Sequence, residues 1–284
     1  MREISFTDDH FDYKITSSYF ISIQISLDGF YFCTLDPVKN RYIQFENHLL
    51  SKDAKKNQES IEELFNKKEK LNLPYKKTFI LIPGLTNTLV PSGLYKTNKP
   101  EEWLKLSYGN INLKENIVVS NKVNLADAYN VFTIPKKLHT IISRQFPSPQ
   151  IFHQHTPIIE KNLSTRMTNH GSTILYINLE DSFFDIIAFK NNKLQLSNSF
   201  IIKSKQDFIY FALFVFEQLK LERAQTKIIL SGRHSGFNTL QKELKRYIKN
   251  IYTTKLPYEF QYSYHFRDLK NTAFHNMLSL PLCE

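Results

Sequence analysis

Hydrophobic and polar positions divide the chain into two stretches that follow one plan. The first opens with three strand-like segments, Tyr19–Leu27, Phe30–Leu35 and Arg41–Leu49. Their length and their β-branched and aromatic content predict strands. Leu27-Asp28-Gly29 predicts a tight hairpin turn, because Asp-Gly readily supplies positive φ. Asp36-Pro37 opens the next turn. A helix is expected from about Asp53 to Lys70, with Ile61, Leu64 and Phe65 on one face and Lys and Glu elsewhere. Lys77–Pro83 then reads as a fully buried strand ended by Pro83-Gly84. Residues 1–16 read as a polar, partly acidic extension.

The middle of the chain is less regular. Pro100 followed by Glu101 and Glu102 predicts a helix start, with Trp103, Leu104 and Leu106 as its buried anchors. Strands are expected at Asn116–Asn121 and Val131–Ile134, and Pro135 opens a helix to about Gln145. A further helix is expected from Thr156 or Pro157 to Arg166, with a break at Asn169-His170-Gly171. From Ser172 the plan repeats, with strands at Thr173–Asn178, Phe183–Phe189 and Lys193–Phe200. Gln206–Leu221 reads as a helix apolar nearly all round, which predicts burial on more than one side. Lys227–Ser231 is the matching buried strand, and a last helix is expected from about Asn238 to Asn250. Strand, strand, strand, helix, strand thus occurs twice, and an internal duplication points to architecture first.

Composition narrows the classes. At 284 residues, 42% hydrophobic and 14% aromatic, the chain can bury a sizeable core in one large domain or two ordinary ones. The longest apolar stretch, Phe208–Phe216, falls well short of the ~20 residues that span a bilayer. Acids stand near the N-terminus where a signal peptide needs an apolar region. A cytoplasmic protein that does not cross a membrane is expected. Two lone cysteines support neither a disulfide framework nor a structural zinc site, and Cys33 reads as a small core residue. The formal charge of +10 admits nucleic acid, a membrane surface or an acidic partner. A Lys-, Asn-, Ile-, Phe- and Tyr-rich chain poor in Gly and Pro also follows from AT-rich coding, and that reading carries more weight.

The duplicated order, the hairpins at Gln24–Tyr31 and Asn178–Phe184, and the later Ser231-Gly232 resemble the actin, sugar-kinase and heat-shock ATPase superfamily. More narrowly, the chain resembles the bacterial domain-of-unknown-function family 3822, known mainly from Bacteroidota. The resemblance covers roughly residues 19–250 and rests on order and hydrophobic pattern. It implies an α/β, two-lobed actin-like ATPase fold with duplicated ribonuclease H-like lobes at 17–170 and 171–284. In the ATPases the first hairpin carries an Asp that organises Mg²⁺ and a Gly that lets the backbone approach the phosphates. Here the aligned run is Gln24-Ile25-Ser26-Leu27, and Gln24 supplies no carboxylate. In the second hairpin the Asp-x-Gly-Gly-like run becomes Asn178-Leu179-Glu180-Asp181-Ser182. Glu180 and Asp181 stand where glycines are expected and place negative charge beside the phosphates. At ~4 Å such a repulsion is worth a few kcal/mol unless Mg²⁺ intervenes. Two carboxylates can hold a metal, but a solvated turn is the weightier reading.

The adenosine-side segment is better kept. Ile228 to Gly232, followed by Ser235-Gly236, resembles the turn that receives the base, although an ordinary strand-to-helix connection explains it equally. Arg233 and His234 are placed to meet an anion there. Ser231 and Gly232 therefore join Gln24, Ser26, Asn178, Glu180, Asp181 and Ser182 as nucleotide-cleft candidates. His153-x-His155 can ligate metal but has no third ligand at readable spacing. Serines and histidines lack a nucleophile-elbow context. Residues 220–255 hold nine Lys or Arg against two acids, a net of +7. Lys242, Lys245, Arg246 and Lys249 are expected to share one helix face that can touch phosphates, or simply be solvated.

The leading expectation is a non-catalytic scaffold or adaptor with degenerate phosphate hairpins, without cofactor or metal, that binds a protein partner. One alternative is a divergent ATP-binding protein with Mg²⁺ held by Glu180, Asp181 or Asp185. A second is a nucleic-acid or ribosome-associated binder that uses the 242–249 face.

Overall fold

The computed structural model describes residues 3–26, 29–50, 54–165, 173–269 and 272–283. The first half runs β1 (Ser5–Thr7), β2 (Phe20–Ile25), β3 (Gly29–Asp36), β4 (Arg41–Leu49), α1 (Ala54–Lys67) and β5 (Lys77–Ile82). It continues with β6 (Asn87–Pro91), α2 (Pro100–Tyr108), β7 (Asn116–Val123), β8 (Ala128–Pro135), α3 (Lys136–Gln145), β9 (Gln150–His153) and α4 (His155–Ser164). The second half runs β10 (Thr173–Leu179), β11 (Phe183–Lys190), β12 (Lys193–Ile201), α5 (Lys205–Gln218), β13 (Lys227–Gly232) and α6 (Phe237–Leu244). It ends with β14 (Ile251–Thr253), β15 (Gln261–Tyr262) and α7 (His275–Leu278). The expected hairpin tip at 27–28, the start at Asp53, the end at Arg166 and the break at 169–171 lie outside the described residues.

The duplication is real at the level of strand order. In the first sheet, ordered β1-β4-β3-β2-β5-β9, the antiparallel meander β2-β3-β4 is joined by β5, parallel to β2. In the second, ordered β12-β11-β10-β13-β14, the meander β10-β11-β12 is joined by β13, parallel to β10. A parallel neighbour demands a crossover, and α1 and α5 supply it. A three-stranded sheet, β6-β8-β7, is attached to the first half.

Each large sheet is buried on both faces, which explains why its central strands read as near-continuous apolar runs. One face of the first sheet packs Ile21, Ile23 and Ile80 against Ile61 and Phe65 of α1 and Ile141 and Ile142 of α3. Its other face packs Tyr31, Phe45 and Phe79 against Phe266, Phe274, Met277 and Leu280. The outer face of the second sheet packs Leu175, Ile177, Phe184 and Leu230 against Phe208, Ala212 and Val215 of α5 and Leu240 and Leu244 of α6. Its inner face receives Ile158 and Ile159 of α4. Seven successive residues of α4, His155 to Lys161, are buried, which makes this helix part of the layer between the sheets.

Several expectations need correction. The N-terminal extension is structured, for β1 pairs with β4 at Phe6↔Phe45 and Phe11 is buried. The last segment does not stay with the second half: β15 pairs with β4 at Tyr262↔Tyr42, and Phe266, Leu269 and apolar residues of 273–280 cover the first sheet. The proposed unit 171–284 therefore gives its end to its neighbour, and apolar side chains such as Phe266 and Phe274 are what drive that return. In α2, Leu104 is buried and Trp103 partly so, but Leu106 is 79% exposed. Helix α5 is not enclosed: Phe208, Ala212, Val215 and Phe216 face inward, while Tyr210 and Phe214 face solvent. Ser204 starts it with a capping box, its hydroxyl accepting from the Asp207 amide. Among the described residues no helix is long and apolar enough to cross a membrane.

Three buried groups make this fold acid-sensitive. Burial pushes the His275 imidazole down to about 4, and the Lys161 charge adds to the effect. Its Nδ1 meets the Lys255 carbonyl at 2.7 Å. Burial would raise Glu46, but the His48 imidazole 3.5 Å away, a hydrogen bond from Lys70 and the charges of Lys70 and Lys68 outweigh it and bring the carboxyl to about 2. Burial would likewise raise Asp8, but Ser263, His10 and Arg41 bring it to about 2. In each case the unfolded chain binds more protons than the native one, so stability is present above the unfolded pKa and is lost as pH falls. His275 acts first, from 6.5 down towards 4. Urea unfolding is expected to show a loss of about 2–3 kcal/mol over that window. H275Q should flatten this step, and an unchanged pH profile would refute the assignment.

Candidate functional site

The two hairpins meet at the inner ends of the large sheets. In the first, Gln24 pairs with Tyr31 and the Ser26 amide donates to the Gly29 carbonyl at 3.0 Å. Gln24 and Ser26 lie two apart on one strand path and so face the same side; Gln24 is buried. In the second, Asn178 pairs with Asp185 and the Glu180 amide donates to the Phe183 carbonyl at 2.9 Å, leaving Asp181 and Ser182 at the exposed tip. Strand β13 runs beside β10 and sets Ser231 opposite Asn178 and Gly232 opposite Leu179.

Gly232 explains how the chain turns here. Its φ is +110°, and a Cβ would collide with the backbone of Leu179. Only glycine allows this approach, which then lets the Arg233 amide donate to the Leu179 carbonyl at 2.7 Å. The Arg233 side chain is thereby aimed between the hairpins. Its Nη2 donates to Glu180 Oε2 at 2.6 Å and to Ser26 Oγ at 2.9 Å. The guanidinium lies 4.6 Å from the centre of the Tyr31 ring. Side chains of the pair are 2% and 9% exposed, so this is a buried ion pair that bridges the two hairpins. The anion that Arg233 meets is internal.

The other candidate carboxylates are also engaged, each differently. Asp181 Oδ1 accepts from the Ser235 amide at 2.8 Å and so braces the turn that leads into α6. Asp185 is fully enclosed and accepts from Gln154 Nε2 at 2.6 Å, Asn178 Nδ2 at 3.2 Å and Ser199 Oγ at 2.7 Å. His155 Nε2 stands 2.9 Å from its Oδ1. Asn178 Oδ1 in turn accepts from Ser231 Oγ at 2.9 Å and Asn276 Nδ2 at 3.2 Å. Ser182 is not part of this set; its carbonyl accepts from the Ile202 amide at 3.0 Å. The structure thus brings together Ser26, Asn178, Glu180 and Ser231, with Gly232 as the pivot. Glu180 pairs with Arg233 and Asp181 with the Ser235 amide, while Asn178 Nδ2 lies 3.5 Å from Glu180 Oε1 and 3.2 Å from Asp185 Oδ2 and so links those two carboxylates.

Sequence reasoning missed the continuation of this network through His155. Asn87 Nδ2 lies 3.0 Å and Ser197 Oγ 2.8 Å from His155 Nδ1. The Asn87 Nδ2 group can only donate, so Nδ1 accepts and Nε2 carries the proton offered to Asp185. Asn87 also donates to Asn130 Oδ1 at 3.1 Å, and Asn130 to Thr156 Oγ1 at 3.3 Å. Serine, imidazole and carboxylate stand in the order of a hydrolase relay, yet Nδ1 is shared with Asn87 and the imidazole is wholly buried. The arrangement ties β6, α4, β11 and β12 together. The neighbouring His153 is neutral, its pKa pushed well down by burial and by His155. Its Nε2 meets the Gly84 carbonyl at 3.0 Å and its Nδ1 accepts from the His155 amide at 3.2 Å. All four ring nitrogens of the His153-x-His155 pair are engaged by protein groups within this joint.

The basic candidates are arranged differently from expectation. Helix α6 ends at Leu244, because Leu244 and Ile248 turn inward and the chain tightens into successive turns. Lys242 is on the helix, Lys245 caps it, and Arg246 and Lys249 follow in turns, so the four share no helix face. Arg246 Nη1 pairs with Glu243 Oε2 at 3.1 Å.

Comparison with solved structures recovers the fold. A Bacteroides thetaiotaomicron protein with an actin-like ATPase fold and unknown function superimposes with a TM-score of 0.82 at 23% identity, over 96% of this chain and 99% of the other. A chain of the PilM–PilN type IV pilus biogenesis complex superimposes with a TM-score of 0.56 at 9% identity, over 93% of this chain and 98% of the other. At such identities the likeness shows the fold alone. No curated protein matches the chain. A family model does match, over residues 8–251. The chain has an actin-like ATPase fold and belongs to the family described as Protein of unknown function (DUF3822).

Proposed function

We propose that this protein is a non-catalytic scaffold or adaptor in which the phosphate site of the actin-like fold has become an internal joint. One observation carries the reading: the Arg233–Glu180 ion pair, with Ser26 and Tyr31 around it, fills the space between the two hairpins. A buried cation already neutralised by Glu180 gives little to a triphosphate. Glu180 itself repels one, and Asn178 and Gln24 provide no carboxylate for Mg²⁺. Each half reads as a ribonuclease H-like lobe, and the two are held in one arrangement by the polar joint at Asp185 and His155. Such a body suits binding to another protein, and a neighbour of the same fold is seen in the PilM–PilN complex.

Isothermal titration with ATP and Mg²⁺, then ADP, tests this. No saturable heat and no rise in melting temperature are expected at millimolar nucleotide. Binding at micromolar ATP would overturn the reading in favour of a divergent ATP-binding protein.

A further inference from the structure

The duplicated halves differ at one matching edge. In the first sheet the outer edge of β4 is covered by β1 over Gln44–Glu46 and by β15 over Arg41–Tyr42. In the second sheet the corresponding strand β12 is the last in its sheet, and no strand among the described residues pairs with its outer edge. Unpaired strand edges offer backbone donors and acceptors to another chain and are ordinarily blunted or covered.

An aromatic ladder runs from the core to the surface beside this edge. Phe184 stacks on Phe200 at 5.5 Å between ring centres, and Phe200 on Phe211 at 4.9 Å. Phe211 meets Tyr210 at 5.2 Å, and Tyr210 meets Phe214 at 6.2 Å. Phe184 is buried, whereas Tyr210 is 63% and Phe214 39% exposed. Large apolar groups grouped beside an open edge mark an interaction surface. Lys190 and Lys193 stand at the start of β12 and Lys203 and Lys205 between its end and the first turn of α5, all exposed. Two acids lie on α5: Asp207 is committed to its start, accepting from the amides of Lys203 at 3.0 Å and Ser204 at 2.9 Å, and exposed Glu217 lies three residues beyond Phe214, which leaves the lysines in excess.

We propose that β12 and the Tyr210–Phe214 face of α5 form a docking site for an extended segment of a partner protein in which apolar and acidic residues alternate. The strand edge supplies the backbone pairing, the aromatic face receives the apolar side chains, and the lysines meet the acids. The proposal rests on the scaffold reading but uses no residue of the hairpin cleft, so nucleotide binding there and peptide binding here are read separately.

The test uses the full chain and a fluorescent nine-residue synthetic peptide, matched to the length of β12, that alternates glutamate with valine and phenylalanine. A control peptide carries lysine in place of glutamate. Saturable binding of the acidic peptide alone is expected, weakened at least about tenfold by F214E and by raised salt. Amide hydrogens of β12 should become protected from exchange. Y210E provides a second variant at an exposed position. Absence of saturable binding, or binding unchanged in both variants, overturns the proposal. So does concentration-dependent dimerisation of the free protein that F214E abolishes, since it assigns the surface to a second copy.

Discussion

Replacing Arg233 with methionine is expected to lower the free energy of unfolding by about 3–5 kcal/mol, measured by urea denaturation at pH 7. The loss comes less from the missing attraction than from what stays behind. Glu180, 9% exposed at its side chain, would keep its charge in a place where Arg233 Nη2 now stands 2.6 Å away. Ser26 Oγ would lose the donor that joins it to the second hairpin. The asymmetry between breaking a buried pair and replacing it provides the control. R233M combined with E180L removes both charges and leaves an apolar contact beside Tyr31, so it should lose no more than about 1 kcal/mol. Equal losses in the single and double variants would mean that the charges are solvated and that the cleft is not sealed by this pair. R233M alone should not create ATP binding, because Glu180 remains.

Most of the architecture could be read from the chain because it is encoded locally. The segments around β2, β3, β5, β10 and β13 are short apolar runs bounded by turn residues, and burial on both sheet faces produces that pattern. The expected order of three strands, a helix and a strand is present in both halves. What the pattern could not show was pairing at long range. Strand β1 has three residues and β15 two, too short for any periodicity, and each exists because β4 offers an edge. The misreading of α5 has a physical reason as well. Apolar residues all round a helix predict enclosure only when other elements surround it, and here one flank is left to solvent. Leu240, Leu244 and Ile248 keep helical spacing and so predict a longer helix than α6, although the chain tightens into turns after Leu244.

The candidate site was legible in a different way. The absence of glycines from the second hairpin and of an aspartate at positions 24 and 178 is a direct reading of residue identity. Gly232 was legible as well, as one of only seven glycines, set at the end of a buried strand. Arg233 follows it directly, so its side chain is aimed by the backbone turn that the glycine permits. Its partner could not be read, since 53 residues separate it from Glu180. The same holds for His155, whose partners lie 30 to 70 positions away. A two-residue His pattern suggests metal on spacing alone, and the engagement of every ring nitrogen by distant protein groups is invisible in it.

Asp185→Ala is the second substitution with a large expected effect. Four groups converge on this carboxylate: Gln154 Nε2, Asn178 Nδ2, Ser199 Oγ and His155 Nε2. Alanine would leave donors from β9–α4, β10 and β12 facing an apolar gap at a fully buried position. Each unsatisfied buried donor costs about 1–3 kcal/mol, and partial rearrangement offsets some of the total, so a loss of about 3–5 kcal/mol is expected. The damage should be local before it is global. Since α4 stands between the two large sheets and the Gln154 and His155 side chains lie at its start, its amide hydrogens should exchange faster in the variant than those of α1 and α3. Asp185→Asn keeps the shape and one acceptor oxygen and should cost less. A loss below about 1 kcal/mol for Asp185→Ala, with exchange in α4 unchanged, would show that apolar packing alone fixes the halves and that the polar joint does not hold them.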